Sequence, residues 1–237
     1  MTSTAWAAVS PTPWGTLLQY VRTGEPAYHE VFGAPFWEDL NANPEIGASF
    51  DALMGPAGHG TPDPDVLLDG DWNSVRTVVD VGGGTGTLLA EILRAHPHVR
   101  GILIDFPRTV ARWQEVFEMA GVAERVQPRG QSFFDPLPSG GDLYLLMKII
   151  NDWPDAEAIA ILTRCAEAAR PAGRIVVDGG VSPVASPSHL IPEMVLVGGK
   201  QRGLAQFREL ARAAGLEISR ADKNASGRYL VECRPRA

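Results

Sequence analysis

Apolar positions change their period part-way along the chain. In the first 54 residues the spacing is helical: Ile46, Phe50, Leu53 and Met54 fall at i, i+4, i+7 and i+8, behind Asn43 and Pro44, which suit an N-cap and a first helical residue. Trp14, Leu17, Leu18 and Val21 predict a shorter amphipathic helix upstream. Phe32, Phe36, Trp37 and Leu40 add an apolar load that roughly sixty residues cannot bury alone. The stretch reads as a helical lid or adaptor packed on the rest of the chain, or as one side of an interface. Residues 55–65 (Gly-Pro-Ala-Gly-His-Gly-Thr-Pro-Asp-Pro-Asp) are a loop by composition and divide a segment 1–65 from a domain 66–237.

Beyond the loop, short apolar runs alternate with helical stretches, the pattern of a parallel α/β sheet. Strands are predicted at Arg76 to Val81, Arg100 to Asp105, Arg125 to Pro128, Leu143 to Lys148 and Arg174 to Asp178. Helices are predicted near 86–95, 108–120, 155–170, 187–198 and 204–214. Asp155 is placed to cap the third of these, Glu157 suits its first turn, and Pro171 with Gly173 ends it. Glu217 to Lys223 and Arg228 to Cys233 flank the turn Asn224-Ala225-Ser226-Gly227, a hairpin that leaves one antiparallel strand in an otherwise parallel sheet.

Composition then narrows the function classes. The 237 residues carry 21 Lys+Arg and 28 Asp+Glu, a net charge of −7, so there is no cationic footprint for nucleic acid or an anionic membrane. No apolar run approaches the ~20 residues that span a bilayer. Without a signal-peptide pattern over residues 1–14, the chain reads as cytoplasmic. Cys165 and Cys233 stand in no metal-ligand spacing and read as free thiols, with no metal expected.

The chemistry starts at Val78-Val79-Asp80-Val81-Gly82-Gly83-Gly84-Thr85-Gly86, an apolar strand running into four glycines within five residues. Such a turn lets the backbone approach a nucleotide, because a Cβ would hold it away and tight turns demand positive φ. Asp105, 19 residues after Gly86 and at the end of the next strand, is placed to accept hydrogen bonds from a ribose. The dinucleotide pattern Gly-x-Gly-x-x-Gly fails, with Thr87 or Leu89 at its last place, which disfavours a nicotinamide oxidoreductase. Gly82-x-Gly84-x-Gly86 behind Asp80 instead resembles the S-adenosylmethionine motif of class I methyltransferases.

The ordered series from Val79 to Gly86, Ile104-Asp105-Phe106-Pro107, Ser132-Phe133-Phe134 and Asp142 to Trp153 resembles the plant-type and bacterial small-molecule O-methyltransferase family. So do Val21 to Pro26 and Val31 to Trp37 ahead of the loop, and Gly198-Gly199-Lys200-x-Arg202 with Ala214-Gly215-Leu216 behind, so that the likeness covers roughly residues 14–233. It implies an α/β, Rossmann-like class I methyltransferase sheet, mostly parallel with one antiparallel strand, plus an N-terminal helical segment. It implies S-adenosylmethionine as cofactor and a small aromatic hydroxyl compound of secondary metabolism as acceptor. By position, Asp80, Gly82, Gly84 and Gly86 lie at the cofactor, Asp105 and Phe106 at its ribose, and Ser132 and Phe133 beside its adenine. Met147 stands where many relatives have a lysine. Met54, Asn151, Trp153 and Met194 fall in stretches that line the acceptor pocket, and Glu193 at an acidic position near the substrate.

Asn151 departs most from the family, which usually has histidine there in a His-Asp-Trp run. A hydroxyl becomes a competent nucleophile as its proton leaves, and imidazole can take that proton near neutrality whereas an amide cannot. Losing a general base typically costs ~10²- to 10⁴-fold in rate. Asn151 is therefore given a positioning role on an acidic phenol or enol. The other readings are a different base, with His189 the named candidate, and a cofactor-binding relative without methyl transfer. Taken one by one, Phe36, Trp37, Trp153 and Met194 read as core before ligand contact, and Met54 reads equally as either. Arg202, Arg208 and Arg212, at i, i+6 and i+10, read as a solvated helix face. Relatives usually carry a further N-terminal dimerising domain, so a homodimer is implied by the resemblance alone. This chain starts almost within the matching region, as a natural short form or a truncation, and an exposed apolar surface is expected on the helices of 14–54.

Overall fold

In the computed structural model, residues 16–54, 62–184 and 191–236 are described. Trp14, His189 and residues 55–61 of the 55–65 loop lie outside them. Among the described residues, four helices come first: α1 (Leu17–Thr23), α2 (Tyr28–Phe32), α3 (Phe36–Ala42) and α4 (Pro44–Met54). The alternating part follows as β1 (Thr77–Val81), α5 (Thr87–Ala95), β2 (Arg100–Asp105), α6 (Pro107–Val110), α7 (Trp113–Met119), β3 (Val126–Gly130), β4 (Leu143–Met147), α8 (Asp155–Ala168) and β5 (Arg174–Asp178). The chain ends with β6 (Val181–Ser182), α9 (Ile191–Val197), β7 (Arg202–Gly203), α10 (Leu204–Ala213), β8 (Leu216–Lys223) and β9 (Tyr229–Pro235).

Seven strands form one sheet in the order β3-β2-β1-β4-β5-β9-β8. Neighbours are parallel from β3 through to β5, and β9 runs antiparallel to both β5 and β8. The expected single antiparallel strand is therefore β9, and the fold is the mostly parallel class I sheet. Side chains alternate across it as the two-residue period requires. Val79 and Val81 of β1 join Tyr144, Leu146, Ile175 and Val177 in a core with α8 and α10. Val78 joins Leu143, Leu145 and Val176 on the other face, against Leu88, Leu89, Ile92 and Leu93 of α5. With both faces covered, strand order reverses at β1 and β4, and ligands of open α/β sheets bind outside the carboxyl ends there. Asp142 fixes the start of β1, its Oδ2 accepting from the N–H of Arg76 and Thr77 at 2.8 and 2.9 Å.

Some elements differ from the sequence reading. The single helix expected over 108–120 is two, α6 and α7, broken around Ala111 and Arg112. Asp155 does not cap α8: Pro154 occupies the cap position, and Asp155 is the first helical residue, turned towards Lys200 and Arg202. Nor does the Asn43 side chain cap α4; its Nδ2 bonds back to Asp39, while its carbonyl accepts from Gly47 N. Helix α1 buries none of its residues and leaves Val21 72% exposed. Tyr28, Phe36 and Leu40 make a small core of their own, closed on one side by Leu196 and Val197 of α9. Among the described residues no helix is long and apolar enough to cross a membrane.

Gly86 carries a specific load here. It joins the glycine turn to α5 at φ +90°, and a Cβ on it would overlap the Phe117 ring and approach Leu103 Cδ2 to 3.0 Å. Left-handed geometry costs an L-residue ~1–2 kcal/mol, and overpacking a core ~1–3 kcal/mol. Gly86→Ala is therefore expected to destabilise by about 2–5 kcal/mol, lowering the midpoint of a thermal melt by roughly 4–20 °C. An unchanged melt would show that the turn tolerates a side chain.

Candidate active site

The carboxyl ends of β1, β2 and β4 open into one cavity of about 450 Å³, within the range of small-molecule sites. Its floor is the turn after β1. Gly82 and Gly84 sit at φ +73° and +62°, and a Cβ built on Gly84 meets nothing within 4 Å because it points into open space. Gly84 N donates to Asp105 Oδ2 at 2.8 Å, and Phe106 N to Asp105 Oδ1 at 2.7 Å. Two backbone amides thus aim the β2 carboxylate along the turn.

Asp80 lies beneath this turn, 1% exposed, and its Oδ2 is buried without a hydrogen-bond partner. Burial, then the nearby charge of Asp105, push it up to about 7. Asp105 is raised as well, by burial first, while the Gly84 and Phe106 amides and Arg108 act against that and Asp51 adds to it. A buried and a part-buried carboxyl, with no cation bonded to either among the described residues, suit a ligand that brings positive charge and hydroxyl donors. S-adenosylmethionine has a sulfonium, an ammonium and a ribose diol, so the residues present fit it.

The roof and far wall are aromatic. Trp37 of α3, Phe50 and Met54 of α4, and Phe133 and Trp153 line the same cavity. Trp37 stacks on Trp153 with ring centroids 6.1 Å apart and meets Phe50 edge-on at 5.7 Å; Phe133 meets Trp153 edge-on at 5.8 Å. Helix α4 is tied to the cofactor side by Arg108, whose Nη1 lies 2.9 Å from Asp51 Oδ2 and whose Nε donates to Asn41 Oδ1 at 3.0 Å. The first four helices and the sheet therefore close one volume together.

Of the residues singled out in the sequence, Asp80, Gly82, Gly84, Asp105, Phe106, Phe133, Met147, Met54 and Trp153 line the cavity. Gly86, Ser132, Asn151 and Met194 do not. Gly86 packs under the turn, and Ser132 Oγ accepts from Phe134 N at 3.2 Å, a local turn bond. Met194 sits part-buried on α9. Asn151 lies behind the wall, with its Nδ2 on Asp152 Oδ1 at 2.7 Å. Arg202 is not on a solvated helix face: it belongs to β7, is fully buried, and pairs with Asp155 at 2.8 Å.

Among the cavity residues that spacing and family position missed are Phe50 as wall, Asp51, Arg108 and Asp152. Asp152 stood in plain view in the Asn151-Asp152-Trp153 run. Both cysteines are free and buried, and their thiols are pushed up to about 12, chiefly by burial, so neither is a nucleophile. Among the described residues no group of three or more His, Cys, Asp or Glu could hold a metal ion.

A model of the O-methyltransferase domain matches residues 14–217. The chain belongs to that family. As an O-methyltransferase-domain chain, it is 41% identical over 211 residues to 2,7-dihydroxy-5-methyl-1-naphthoate 7-O-methyltransferase of Streptomyces carzinostaticus, covering 86% of this chain and 62% of that protein. It is 37% identical over 215 residues to aclacinomycin 10-hydroxylase RdmB of Streptomyces purpurascens, covering 86% of this chain and 56% of that protein. It thus spans about three fifths of the length of these curated relatives. Among solved structures, the O-methyltransferase NcsB1 from neocarzinostatin biosynthesis, in complex with S-adenosylmethionine and 2-hydroxy-5-methyl naphthoic acid, matches with a TM-score of 0.87 at 36% identity, covering 98% of this chain and 70% of that one.

Proposed function

We propose that this chain binds S-adenosylmethionine and transfers its methyl group to the hydroxyl of a small aromatic, natural-product-like acceptor. One observation carries the reading: the carboxylate-and-glycine half of the site and its aromatic half are a single cavity. When bound, S-adenosylmethionine supplies an electrophilic methyl group on a sulfonium sulfur. The Asp105 carboxylate, aimed by the Gly84 and Phe106 amides, accepts from the ribose hydroxyls. Asp80 offers its unpartnered Oδ2 to the cationic portion, and Phe133 and Met147 supply apolar wall. Trp37, Phe50, Met54 and Trp153 hold a flat ring and exclude water, which favours attack by an oxygen that has given up its proton.

A calorimetric titration tests the cofactor half. Saturable binding of S-adenosylhomocysteine with no binding of NAD⁺ is the expected result; binding of NAD⁺ alone would overturn the assignment. The amide at position 151, together with a hydroxylase among the relatives, favours a second reading in which the cofactor is bound without methyl transfer. Incubation with S-adenosylmethionine and a series of hydroxynaphthoates separates the two. A product heavier by one methylene supports transfer, and its absence from every acceptor supports the second reading.

A further inference from the structure

Position 151 is an amide, and its neighbour is a carboxyl that faces the cavity. Asn151 is 8% exposed and tightly held. Its carbonyl accepts from Lys200 N at 2.9 Å, and Gly180 packs so closely that a Cβ there would lie 2.7 Å from Asn151 N. Asn151 Nδ2 donates to Asp152 Oδ1 at 2.7 Å, while Asn151 Oδ1 is buried with no donor. Flipping the amide would set its oxygen against the carboxylate, so charge fixes the orientation. With Oδ1 engaged, Asp152 Oδ2 takes no hydrogen bond among the described residues, and Asp152 lines the cavity together with Ile149 and Trp153.

We propose that Asp152 is the general base of this chain, its Oδ2 taking the acceptor's hydroxyl proton while the Asn151 amide holds its Oδ1. The proposal rests on the methyl-transfer reading above. It places the proton acceptor one residue along the turn from the Asn151 amide, on the next side chain. In the step, the acceptor's O–H bond breaks and its proton passes to Asp152 Oδ2. The oxygen's electron pair forms the O–C bond as the C–S bond breaks, its pair stays on sulfur, and a sulfonium becomes a neutral thioether. Asp152 then returns the proton to water.

The surroundings suit that task. Burial first, and then the charge of Glu193 on α9, push the Asp152 carboxyl up to about 7, with the Asn151 amide acting against them. Glu193 is the titratable group that faces it from a neighbouring element, and no Lys or Arg is paired with Asp152 among the described residues. Glu193 Oε2 is buried without a donor, so α9 brings negative charge and nothing that would weaken the base. An ordinary carboxylate, near ~4, is a poor acceptor for a phenolic proton, whereas one near neutrality matches imidazole.

The test compares wild type with the isosteric Asp152→Asn on two acceptors, an unactivated phenol with a pKa of ~10 and a nitrophenol with two nitro groups, which is already ionised at neutral pH. Asp152→Asn is expected to retain S-adenosylhomocysteine affinity by calorimetry and to lose ~10²- to 10⁴-fold on the unactivated phenol, with a far smaller loss on the nitrophenol. The base acts ionised, so the wild-type rate on the unactivated phenol should rise through a pH of about 7 and level off. Difference infrared spectra of the two proteins, both saturated with S-adenosylhomocysteine to hold Asp80 constant, should show a carboxyl band titrating in that range in wild type only. Equal losses on both phenols, or no such band, would overturn the base. If Asp152→Asn fails to bind S-adenosylhomocysteine, Asp152→Glu carries the test: a pH limb with a shifted midpoint is expected, and an unshifted limb overturns the assignment. A wild type that binds S-adenosylhomocysteine and methylates neither phenol overturns the methyl-transfer reading, and the base with it.

Discussion

Asp105→Ala is expected to weaken S-adenosylhomocysteine binding by ~10²- to 10⁴-fold while the protein stays folded. The carboxylate receives Gly84 N and Phe106 N and lies on the cavity wall, so its remaining lone pairs face a bound ribose. Hydrogen bonds to a charged group are each worth ~1.5–3 kcal/mol, and a diol makes two, a loss of about 3–6 kcal/mol. Each ~1.4 kcal/mol is a factor of ten in affinity. The variant also leaves the Gly84 amide without the acceptor that shapes the turn. Asp105→Asn should lie between, because its amide presents one oxygen to what had been two acceptor sites. Burial holds the Asp105 carboxyl above its ordinary range, so removing it relieves a native-state cost that offsets the two amides left without an acceptor, and the fall in thermal midpoint should be small beside the loss of affinity. Calorimetry beside a thermal melt separates the outcomes. Affinity within about threefold of wild type would show that the ribose lies elsewhere.

The same geometry explains what could be read from the chain before folding. β1 and its glycine turn were legible because a two-residue apolar period stops at a run that only backbone can fill, and β4 and β5 because both faces are buried. Asp105 was legible through its distance from that turn. The break between α6 and α7 was not, since the residues around Ala111 and Arg112 are no worse for a helix than their neighbours. Asp155 has the chemistry of a cap, and two cations 45 and 47 residues downstream claim its carboxylate instead. Ser132 turned inward to its own loop for the same kind of reason: a nearby N–H competes for a hydroxyl more effectively than a distant ligand does. Asp152 was overlooked because position 151 drew the chemical question, although the pocket-facing group is the next one along.

Arg202 shows how far spacing can mislead, and it sets the second large expectation. Read as i, i+6, i+10 with Arg208 and Arg212, it looked like a solvated face. The β6–β7 pairing turns it inward instead, where it is fully buried and its guanidinium donates to Ile150 O at 2.9 Å, Lys200 O at 3.1 Å, Trp153 O at 2.7 Å and Asp155 Oδ1 at 2.8 Å. Three of these acceptors are backbone carbonyls, which leave no trace in a sequence. Because Asp155 is 45% exposed, its charge contributes little; the carbonyls bear most of the load, and two of them, on Ile150 and Trp153, belong to the turn that presents Asn151, Asp152 and Trp153. Arg202→Leu strands all four acceptors, and breaking a buried polar cluster of this kind costs about 3–5 kcal/mol. For a chain of this size that is a fall of roughly 6–20 °C in thermal midpoint. Arg202→Lys keeps the charge but not the planar fork, so it should recover only the Asp155 contact. Both variants should impair acceptor turnover more than S-adenosylhomocysteine binding, because the loosened turn carries Asp152 and Trp153 of the cavity wall, while Asp105 and its two amide donors belong to other elements. A melt within about 2 °C of wild type would show that water replaces the guanidinium, and that the 150–153 turn keeps its shape without help from β7.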